Sequence, residues 1–266
     1  MPKRPIGIFD SGVGGLTVVK SLIQQLPNES FIYIGDTAHV PYGNKTKKQL
    51  LSYAYRIIDY LIQRRVKAII VACGTHSSVT LPVLTEEYSL PIIGVVKAGA
   101  YQACRVTRKG LLGVLATQAT VNSLAYTREI NRIRPDYKVY EVGCPRLVPL
   151  IEAGKLRDRE TVEAVEDYLS PLLAKGIDTL ILGCTHYPFL SEVIRSIAGE
   201  NVVQVDPSWQ TIRELIQIFS EHNLYNQSNE TPLREFYVSG QEEPFFDLSR
   251  VLIGEIVNNV HKIYLD

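Results

Sequence analysis

The chain has 266 residues, of which 45% are hydrophobic and 21% are charged, so it can form one large globular domain or two smaller ones. Its 28 basic residues balance 28 acidic residues, which gives no support for nucleic-acid or membrane-surface binding driven by bulk charge. No apolar run approaches the roughly 18 residues that span a bilayer, and the basic N-terminus lacks the apolar stretch of a signal peptide. We therefore expect neither a nucleic-acid partner nor a membrane partner.

Short apolar runs alternate with helix-like stretches along the chain. The apolar runs predict strands at Ile6–Asp10, Phe31–Asp36, Ala68–Cys73, Ile92–Val96, Leu111–Thr117, Lys138–Val142, Thr179–Cys184 and Val202–Asp206. The stretches between them predict helices at Thr17–Leu26, Lys47–Arg65, Val79–Tyr88, Ala98–Val106, Val121–Arg132, Arg159–Lys175, Pro188–Ala198 and Gln210–His222. This alternation is typical of an α/β protein built from βαβ units, with mostly parallel sheets and right-handed crossovers.

The last part of the chain adds three features. The most polar stretch, Asn223–Pro232, predicts a surface loop. After it, Glu235–Gly240 predicts an edge strand, and a helix is expected near Phe245–Val257.

Two cysteines occupy matching places in the two halves of the chain. Cys73 ends the apolar run 68–73 and Cys184 ends the run 180–184, and each is followed by polar sequence that contains Thr and His. Ligand sites in parallel α/β sheets form at the C-terminal ends of strands. The two thiols therefore predict two proton-transfer groups that face one small molecule from opposite sides. A single cysteine at a strand end is more often an inert buried residue, but the repetition favours the functional interpretation.

The cysteines also indicate a compartment and a domain plan. The four residues Cys73, Cys104, Cys144 and Cys184 include no CxxC pair, which argues against zinc-ribbon or thioredoxin chemistry and favours a reduced, cytoplasmic protein. The two matching thiols are 184 − 73 = 111 positions apart, about one domain length. We expect two similar α/β lobes with a cleft between them.

A glycine-rich turn, Asp10–Gly15, follows the first predicted strand and opens a helix. It matches neither the dinucleotide-binding fingerprint nor a phosphate-binding loop, so a nucleotide site is poorly supported. Two interpretations of Asp10 remain open. It is either a helix cap or a group that faces the cleft together with Ser11, near backbone N–H groups that favour an anion.

The end of the second predicted strand leads into a loop that contains Pro41, Tyr42 and Gly43. This tripeptide is first explained by turn chemistry. Tyr42 is also placed to close over a ligand and donate its hydroxyl group.

Cys184, Thr185 and His186 form the sharpest local motif. A thiol with an ordinary pKa near 8.5 is only a few per cent ionised at neutral pH, so a thiol base needs a neighbour that accepts its proton. His186 is well placed to be that neighbour, although a lone histidine is more often a cap or a core residue. Glu152 lies in an apolar helix-like turn, where a Glu is more often solvated than catalytic. It would orient His186 if the fold brings the two residues together.

Three hydroxyl groups lie at a predicted helix start in the second half of the chain, on Thr117, Thr120 and Ser123. Helix capping is the favoured role of such residues. The alternative is that they donate hydrogen bonds to a ligand from the second lobe.

With these motifs the chain resembles the glutamate racemase family, the cofactor-independent amino-acid racemases of bacterial cell-wall synthesis. The resemblance covers essentially the whole length. The motifs are Phe-Asp-Ser-Gly-Val-Gly-Gly-Leu-Thr-Val (9–18), Gly-Asp-Thr-Ala (35–38), Val-Pro-Tyr-Gly (40–43), Val-Ala-Cys-x-Thr (71–75), Cys-Pro-x-Leu-Val-Pro-Leu-Ile-Glu (144–152), Leu-Ile-Leu-Gly-Cys-Thr-His-Tyr-Pro (180–188) and Glu-Phe-Tyr-Val-Ser-Gly (235–240).

The resemblance implies two pseudosymmetric lobes, each a mostly parallel sheet flanked by helices, with glutamate in the cleft between them. The first lobe is expected to comprise residues 1–97 and 207–266, and the second residues 98–206. The implied reaction interconverts L- and D-glutamate and supplies D-glutamate for peptidoglycan synthesis. The family commonly forms homodimers, so a homodimer is expected. No metal-ligand cluster or cofactor motif is visible, and we expect neither a metal nor a cofactor.

The resemblance also implies roles for individual residues. Cys73 and Cys184 are implied to be the two acid/base thiols. Asp10 is implied to assist Cys73, His186 backed by Glu152 to assist Cys184, and Asp36 to contribute to catalysis. The implied substrate contacts are Asp10, Ser11, Tyr42, Gly43, Gly74, Thr75, Thr185 and His186.

The chain departs from the family pattern at several positions near these residues. Gly74 replaces an Asn that holds the polar head of the substrate, and the loss of one hydrogen bond to a charged group costs about 1.5–3 kcal/mol. A water molecule or His76, which stands where a small residue is expected, is a candidate to compensate. His39 replaces an Arg, and Lys97-Ala98 replaces an apolar or acidic residue followed by Pro.

These departures leave three functional hypotheses. The first is a glutamate racemase in which one thiolate removes the α-proton and the opposite thiol protonates the other face. The second is a racemase of another acidic amino acid, such as aspartate. The third is a degenerate binding protein that keeps the fold without turnover.

Overall fold

The computed structural model describes residues 2–228 and 230–265. Positions 1, 229 and 266, which belong to the predicted first lobe, lie outside the described residues, as does position 229 of the predicted loop 223–232. The strands are β1 (Ile6–Asp10), β2 (Phe31–Gly35), β3 (Ala68–Val71), β4 (Ile92–Gly94), β5 (Leu111–Ala116), β6 (Lys138–Gly143), β7 (Thr179–Leu182), β8 (Val203–Val205), β9 (Arg234–Val238) and β10 (His261–Lys262).

Helices connect most of these strands, as the alternating sequence pattern predicts. The α-helices are α1 (Leu16–Gln25), α2 (Lys47–Gln63), α3 (Gly74–Val79), α4 (Leu81–Glu87), α5 (Val95–Val106), α6 (Gln118–Ser123), α7 (Ala125–Ile133), α8 (Leu147–Glu152), α9 (Arg159–Leu173), α10 (Ser191–Ala198), α11 (Pro207–His222) and α12 (Glu242–Ile253). Two short 3-10 helices lie at Tyr42–Asn44 and Tyr187–Leu190. Within the described residues, no helix combines the length and apolar character that crossing a bilayer requires.

The strands form two parallel sheets with the same internal order. The first sheet runs β10-β9-β2-β1-β3-β4, and the second runs β6-β5-β7-β8. Removing β9 and β10 from the first sheet leaves β2-β1-β3-β4, which matches the second sheet strand for strand. The predicted α/β fold with two parallel sheets flanked by helices is therefore confirmed.

Helices cover both faces of the first sheet, so both faces are buried. Successive side chains of a strand point to opposite sides, so each strand contributes to the core on both faces. Ile6 and Ile8 of β1 pack with α1 and α11 on one face. Phe9, from the same strand, packs with α2 on the other face. Each fully buried side chain of this kind contributes about 1.5–3 kcal/mol, so the interior strands are rigid supports for the residues that follow them.

The tail of the chain joins the first sheet. A buried lysine, Lys67, lies just before β3, and its Nζ donates to Glu29 Oε2 at 2.6 Å and to the Leu224 carbonyl at 2.7 Å. The predicted lobe boundaries at 97/98 and 206/207 fall three residues into α5 and immediately before α11. They remain a proposal.

Several predicted boundaries are wrong. Val95 and Val96 were expected in a strand, but they begin α5, because Val96 packs against Ala100 one turn later in the core of the second lobe. The predicted helix 121–132 is two helices, α6 and α7, because Leu124 between them adopts a left-handed conformation with φ of 53°. The predicted helix near 245–257 stops at Ile253, where Gly254 has φ of +72°.

The prediction of an edge strand at 235–240 is also wrong. The strand β9 has β2 on one side and β10 on the other, so it is an interior strand of the sheet. The edge is β10, which has only two residues and carries no apolar pattern that the sequence could reveal.

Candidate active site

A cleft of about 980 Å³ lies between the two sheets, and both matching cysteines line it. Cys73 and Cys184 each follow the last residue of their strand, β3 or β7, by two positions. The predicted strands 68–73 and 179–184 thus extend two residues too far, and the thiols sit in the turns beyond them. The predicted site residues on the cleft wall are Ser11, Tyr42, Gly43, Cys73, Thr75, Cys184, Thr185 and His186.

Cys73 immediately precedes α3, a helix that the sequence did not predict. Its segment Gly-Thr-His-Ser-Ser-Val has poor intrinsic helix propensity, but the Ser77 N–H donates to the Cys73 carbonyl at 2.8 Å and closes the first turn. Burial raises the pKa of the Cys73 thiol, and the negative charge of Asp10 raises it further. Backbone N–H groups of His76 and Thr75 act in the opposite direction, because they stabilise the thiolate.

Asp10 ends β1 and lies behind the cleft wall, fully buried. Its Oδ1 accepts the Gly12 N–H at 3.0 Å, and its Oδ2 accepts the Thr185 hydroxyl at 3.0 Å. Burial raises the pKa of Asp10, while the positive charge of His186 lowers it. Asp10 therefore organises the turn after β1 and also receives a hydrogen bond from the other lobe. It does not cap α1, whose N-cap is Gly15 without a side-chain hydrogen bond, and it is not among the residues that line the cleft.

Cys184, His186 and Glu152 form a hydrogen-bonded chain. The Cys184 Sγ lies 3.7 Å from His186 Nδ1, and His186 Nε2 lies 2.7 Å from Glu152 Oε1. Burial alone would lower the pKa of His186, but the hydrogen bonds to Cys184 and Glu152 raise it well above its ordinary value. Burial would likewise raise the pKa of Glu152, and the contact with His186 reverses this and lowers it. The ring is thus held as an imidazolium beside the Cys184 sulfur.

Two glycines of the turn after β1 allow the lobes to approach at this chain of contacts. A Cβ on Gly12 would lie 2.4 Å from Glu152 Oε1, and a Cβ on Gly14 would lie 2.4 Å from His186 Nδ1. The Val13 N–H, between them, points at Glu152 Oε1 at 3.4 Å. The glycine-rich turn therefore serves to bring the backbone of the first lobe against the His186–Glu152 pair.

Tyr42 is held in the cleft wall by Asp36, which lies behind it. The Tyr42 hydroxyl donates to Asp36 Oδ2, and Ser239 Oγ donates to Asp36 Oδ1 at 2.6 Å. His39 Nδ1 also contacts this carboxylate at 2.8 Å, and its ring stacks on Tyr53 with centroids 4.1 Å apart. Burial and the charge of Asp36 raise the pKa of Tyr42. The phenol is therefore fixed as a neutral hydrogen-bonded group.

The departures at positions 74 and 76 have structural explanations. A Cβ on Gly74 would lie 2.3 Å from the Gly183 carbonyl oxygen, so this backbone arrangement leaves no room for a side chain. His76 is fully buried, with Nδ1 3.0 Å from Thr80 Oγ1 and its ring edge-on to Phe9 and Tyr42. Burial lowers the pKa of His76 to about 3, so this ring is neutral and supports Tyr42 from behind. His76 is not among the residues that line the cleft.

Thr117 has the capping role that the sequence favoured, and it also lies on the cleft wall. It caps α6, because its side chain accepts the Thr120 N–H at 3.3 Å. Its hydroxyl also lies on the cleft wall, 2.9 Å from Thr75 Oγ1 of the first lobe. Ser123 also lines the cleft, whereas Thr120 is fully buried behind it.

Other members of the site were not predicted. Tyr33, on β2, donates its hydroxyl to the Gly12 carbonyl at 2.7 Å, and Cys144 lies in the cleft wall. Lys45, Lys47 and Arg128 also line the cleft. Their local sequence shows only ordinary surface charge, so no signal there marks them. Among the described residues, no cluster of three or more His, Cys, Asp or Glu has a geometry that would hold a metal ion.

Comparison with known proteins places this architecture among amino-acid racemases. Residues 6–215 match the sequence model of the family described as Asp/Glu/Hydantoin racemase. The glutamate racemase of Desulforudis audaxviator is 43% identical over 271 aligned residues, which cover 100% of this chain and 99% of that protein.

Two solved structures are similar over the full chain. A glutamate racemase isoform from Bacillus anthracis superposes with a TM-score of 0.94 at 35% identity and covers 100% of this chain and 98% of that one. The glutamate racemase of Francisella tularensis, solved in complex with D-glutamate, superposes with a TM-score of 0.93 at 37% identity, with 100% and 99% coverage.

Proposed function

This chain belongs to the Asp/Glu/Hydantoin racemase family, and we propose that it interconverts L- and D-glutamate by moving the α-proton between the thiols of Cys73 and Cys184. The product D-glutamate enters peptidoglycan synthesis, the role for which the family is known. The observation that carries the proposed chemistry is that both thiols line one cleft, each beside its own ionisable partner.

The proposed reaction needs one thiolate and one thiol. The thiolate takes the proton from Cα and becomes a thiol, and the electron pair of the broken C–H bond passes into the substrate carboxylate. The opposite thiol then protonates the other face of Cα and becomes a thiolate. The two sulfurs exchange protonation states in each turnover. The next substrate must therefore be the other enantiomer, unless a proton first moves back from one sulfur to the other. Because the productive state needs one thiolate and one thiol, the two sulfurs titrate as a coupled pair.

The most difficult step is formation of the carbanion, because the α-proton is very weakly acidic. Stabilisation requires fixed hydrogen-bond donors aimed at the carboxylate where negative charge develops. The hydroxyl groups of Ser11 and Thr75 lie on the cleft wall and supply such donors, while the Thr185 hydroxyl, also on the wall, donates to Asp10. Tyr42, Gly43 and His186 also line the cleft and complete the proposed substrate contacts. Asp10 and Gly74, which the resemblance implied as contacts, are not among the residues that line it.

The two partners have different roles in the proposed mechanism. His186 carries the positive charge that stabilises an ionised Cys184, and Glu152 orients its ring and keeps it protonated. Asp10 accepts or returns the proton of Cys73. Asp36 positions Tyr42 rather than touching the reacting atoms.

Assembly and location are also part of the proposal. We propose that the protein acts in the cytoplasm, which agrees with its free cysteines. We further propose a homodimer and two lobes, formed by residues 1–97 with 207–266 and by residues 98–206. Sedimentation equilibrium measures the oligomeric state directly, and a single species with the mass of one chain would contradict the homodimer.

The test is turnover of L-glutamate by the purified protein in heavy water without added cofactor. Product D-glutamate is expected to carry deuterium at Cα, and product with only protium at Cα would contradict proton exchange with the thiols. Cys73→Ser and Cys184→Ser are each expected to abolish racemisation. Cys104→Ser is the matched control, because Cys104 lies outside the cleft.

The alternatives are tested by a parallel turnover assay with L-aspartate and by a measurement of glutamate binding. Faster turnover of L-aspartate than of L-glutamate would replace the proposed substrate. Binding of glutamate without any turnover, with both thiols intact, would identify a non-catalytic binding protein.

A further inference from the structure

The charged side chains in the cleft wall are all basic. Lys45, Lys47 and Arg128 line the cleft, and the wall includes no Asp or Glu among the described residues. His186, deeper in the cleft, adds a further positive charge because its pKa is raised. The chain as a whole is neutral, so this concentration of charge is a local property of the cleft.

The three cations are not neutralised by salt bridges to neighbouring side chains. Lys45 and Lys47 form no salt bridge within residues 2–228 and 230–265, and neither does Arg128. Arg128 acts at longer range on Glu141, where its charge opposes the rise in pKa that burial causes. The Oε1 atom of that carboxylate is already taken by the Thr127 hydroxyl at 2.6 Å.

The cations stand on both sides of the cleft. Lys45 follows the 3-10 helix that carries Tyr42, and Lys47 is the first residue of α2, so both belong to the sheet of Cys73. Arg128 lies on α7, beside the sheet of Cys184. All three are at least partly exposed and make no hydrogen bond to either thiol, in contrast to the buried groups around the sulfurs.

We propose that Lys45, Lys47 and Arg128 form a cationic collar that captures the side-chain carboxylate of the substrate and sets the preference of the cleft for anionic amino acids. The proposal rests on the racemase function above. A cleft lined by one sign of charge between low-dielectric walls concentrates the field and raises the local concentration of an oppositely charged ligand. The α-carboxylate and α-ammonium groups nearly cancel each other, so the side-chain carboxylate is the net charge that the collar attracts.

The test compares substitutions inside the collar with matched substitutions outside it. The collar variants are Lys45→Gln, Lys47→Gln, Arg128→Gln and the triple variant. One control is Lys48→Gln, which removes a charge from the residue after Lys47 on α2. The other is Arg132→Gln on α7, where Arg132 pairs with Glu129 at 3.0 Å. Neither control residue lines the cleft.

The triple variant is expected to lower kcat/KM for glutamate by about 10-fold or more at low ionic strength, through KM, while kcat stays within about twofold. The logarithm of kcat/KM should fall with added salt in the wild type, and this slope should flatten in the triple variant. The controls should keep the wild-type slope. A triple variant with wild-type KM and wild-type salt dependence would overturn the collar.

Equilibrium binding keeps the collar testable separately from turnover. Titration calorimetry with glutamate and with glutamine, which lacks the side-chain charge, is expected to show weaker glutamate binding in the triple variant and unchanged glutamine binding. Equal losses for both ligands would contradict charge recognition. Absence of racemisation in the wild type would overturn the proposed function, while the difference between the two ligands would still decide the collar.

Discussion

The Cys73 half and the Cys184 half of the cleft are built on equivalent strands, yet different ionisable groups lie beside the two sulfurs. Burial raises the pKa of Cys73 and the charge of Asp10 adds to it, so this sulfur is favoured as a thiol. Cys184 instead lies beside His186, whose hydrogen bonds to Cys184 and Glu152 overcome burial and raise its pKa. An imidazolium at this position stabilises an ionised sulfur. The two equivalent positions therefore differ in the charge beside each sulfur, with a carboxylate near Cys73 and a cationic ring near Cys184.

The residue after each thiol differs as well. Thr185 follows Cys184, and its hydroxyl donates a hydrogen bond to Asp10 Oδ2 of the other lobe at 3.0 Å. Gly74 follows Cys73 and has no side chain, because the Gly183 carbonyl occupies the space that a Cβ would need. The repeat in the fold therefore does not extend to the chemistry of its two halves, and each half can be perturbed separately.

The largest expected effect comes from replacing the proton partners. His186→Asn and Asp10→Asn should each lower kcat about 10²–10⁴-fold, the usual contribution of a positioned acid or base. The enantiomers have equal free energies, so kcat/KM must fall equally in both directions. The affected half is therefore identified by the Cα-deuterium isotope effect, which should increase for one enantiomer in His186→Asn and for the other in Asp10→Asn.

The same isotope effects can contradict this assignment. An increase for the same enantiomer in both variants would show that the two partners do not serve different thiols. Circular dichroism spectra that match the wild type are the control for folding.

A smaller effect is expected from Glu152→Gln, which keeps the side-chain shape and removes the charge. The pKa of His186 should fall, because its contact with Glu152 is one of the interactions that raise it. The protonated ring is the active form in the proposed mechanism, so the loss of activity at alkaline pH should begin at lower pH than in the wild type. We expect about 10–100-fold lower kcat at pH 8, which corresponds to about 1.4–2.7 kcal/mol.

The control for this variant is Glu163→Gln, which removes a carboxylate from a surface pair with Arg159. Such pairs contribute little, so its pH profile should match the wild type. An unchanged alkaline limb in Glu152→Gln would exclude the carboxylate as the group that keeps His186 charged.

A fourth substitution, Gly74→Asn, tests whether the two halves can be made alike. The new Cβ meets a backbone oxygen at 2.3 Å, and a backbone clash of this kind is expected to cost about 1–3 kcal/mol. Urea denaturation measures the loss of stability. Gly154→Asn is the control, because Gly154 has open space around it and a φ of +71°, which Asn tolerates. Wild-type stability in Gly74→Asn would show that the lobes separate without penalty.

The smallest effect is expected from Thr185→Val, which removes the hydrogen bond to Asp10 and keeps the volume. The loss should be about 0.5–1.5 kcal/mol, or up to roughly tenfold in kcat. This hydrogen bond lowers the pKa of Asp10, so that pKa should rise further in the variant. As the pH is lowered, the variant should therefore lose activity at a higher pH than the wild type does. Thr185→Ser keeps the hydroxyl and should behave as the wild type, and equal losses in the two variants would contradict the role of the hydrogen bond.

The sequence predicts the two sheets well, because their buried strands are continuous apolar runs and the alternation with helices is regular. It also identifies the residues at or just beyond the ends of those strands, since Cys73, Cys184 and Asp10 stand where apolar sequence stops. The contact between His186 and Glu152 is predicted only on the condition that the fold brings the two residues together, because they are 34 positions apart. Local pattern carries no information about such a distance.

Features that depend on the approach of the lobes were not predictable in this way. The sequence shows the lost side-chain donor at Gly74, but it cannot show the close backbone contact with Gly183 that leaves no room for a side chain there. The helix α3 was missed because its residues favour loops, and it forms because the turn after Cys73 is stabilised by its own backbone hydrogen bonds. Lys45, Lys47 and Arg128 are ordinary surface residues in sequence and converge only in the folded chain.

The glycine contacts between the lobes have a consequence for the whole catalytic cycle. Because Gly12 and Gly14 have no side chains, the first lobe lies directly against Glu152 and His186 of the second. In the other direction, the Thr185 hydroxyl of the second lobe donates a hydrogen bond to Asp10 of the first. The hydrogen bonds from Thr185 to Asp10 and from Val13 to Glu152 both join the two lobes. Any motion that separates the lobes would therefore break both bonds at once and change the surroundings of Asp10 and of the His186–Glu152 pair together.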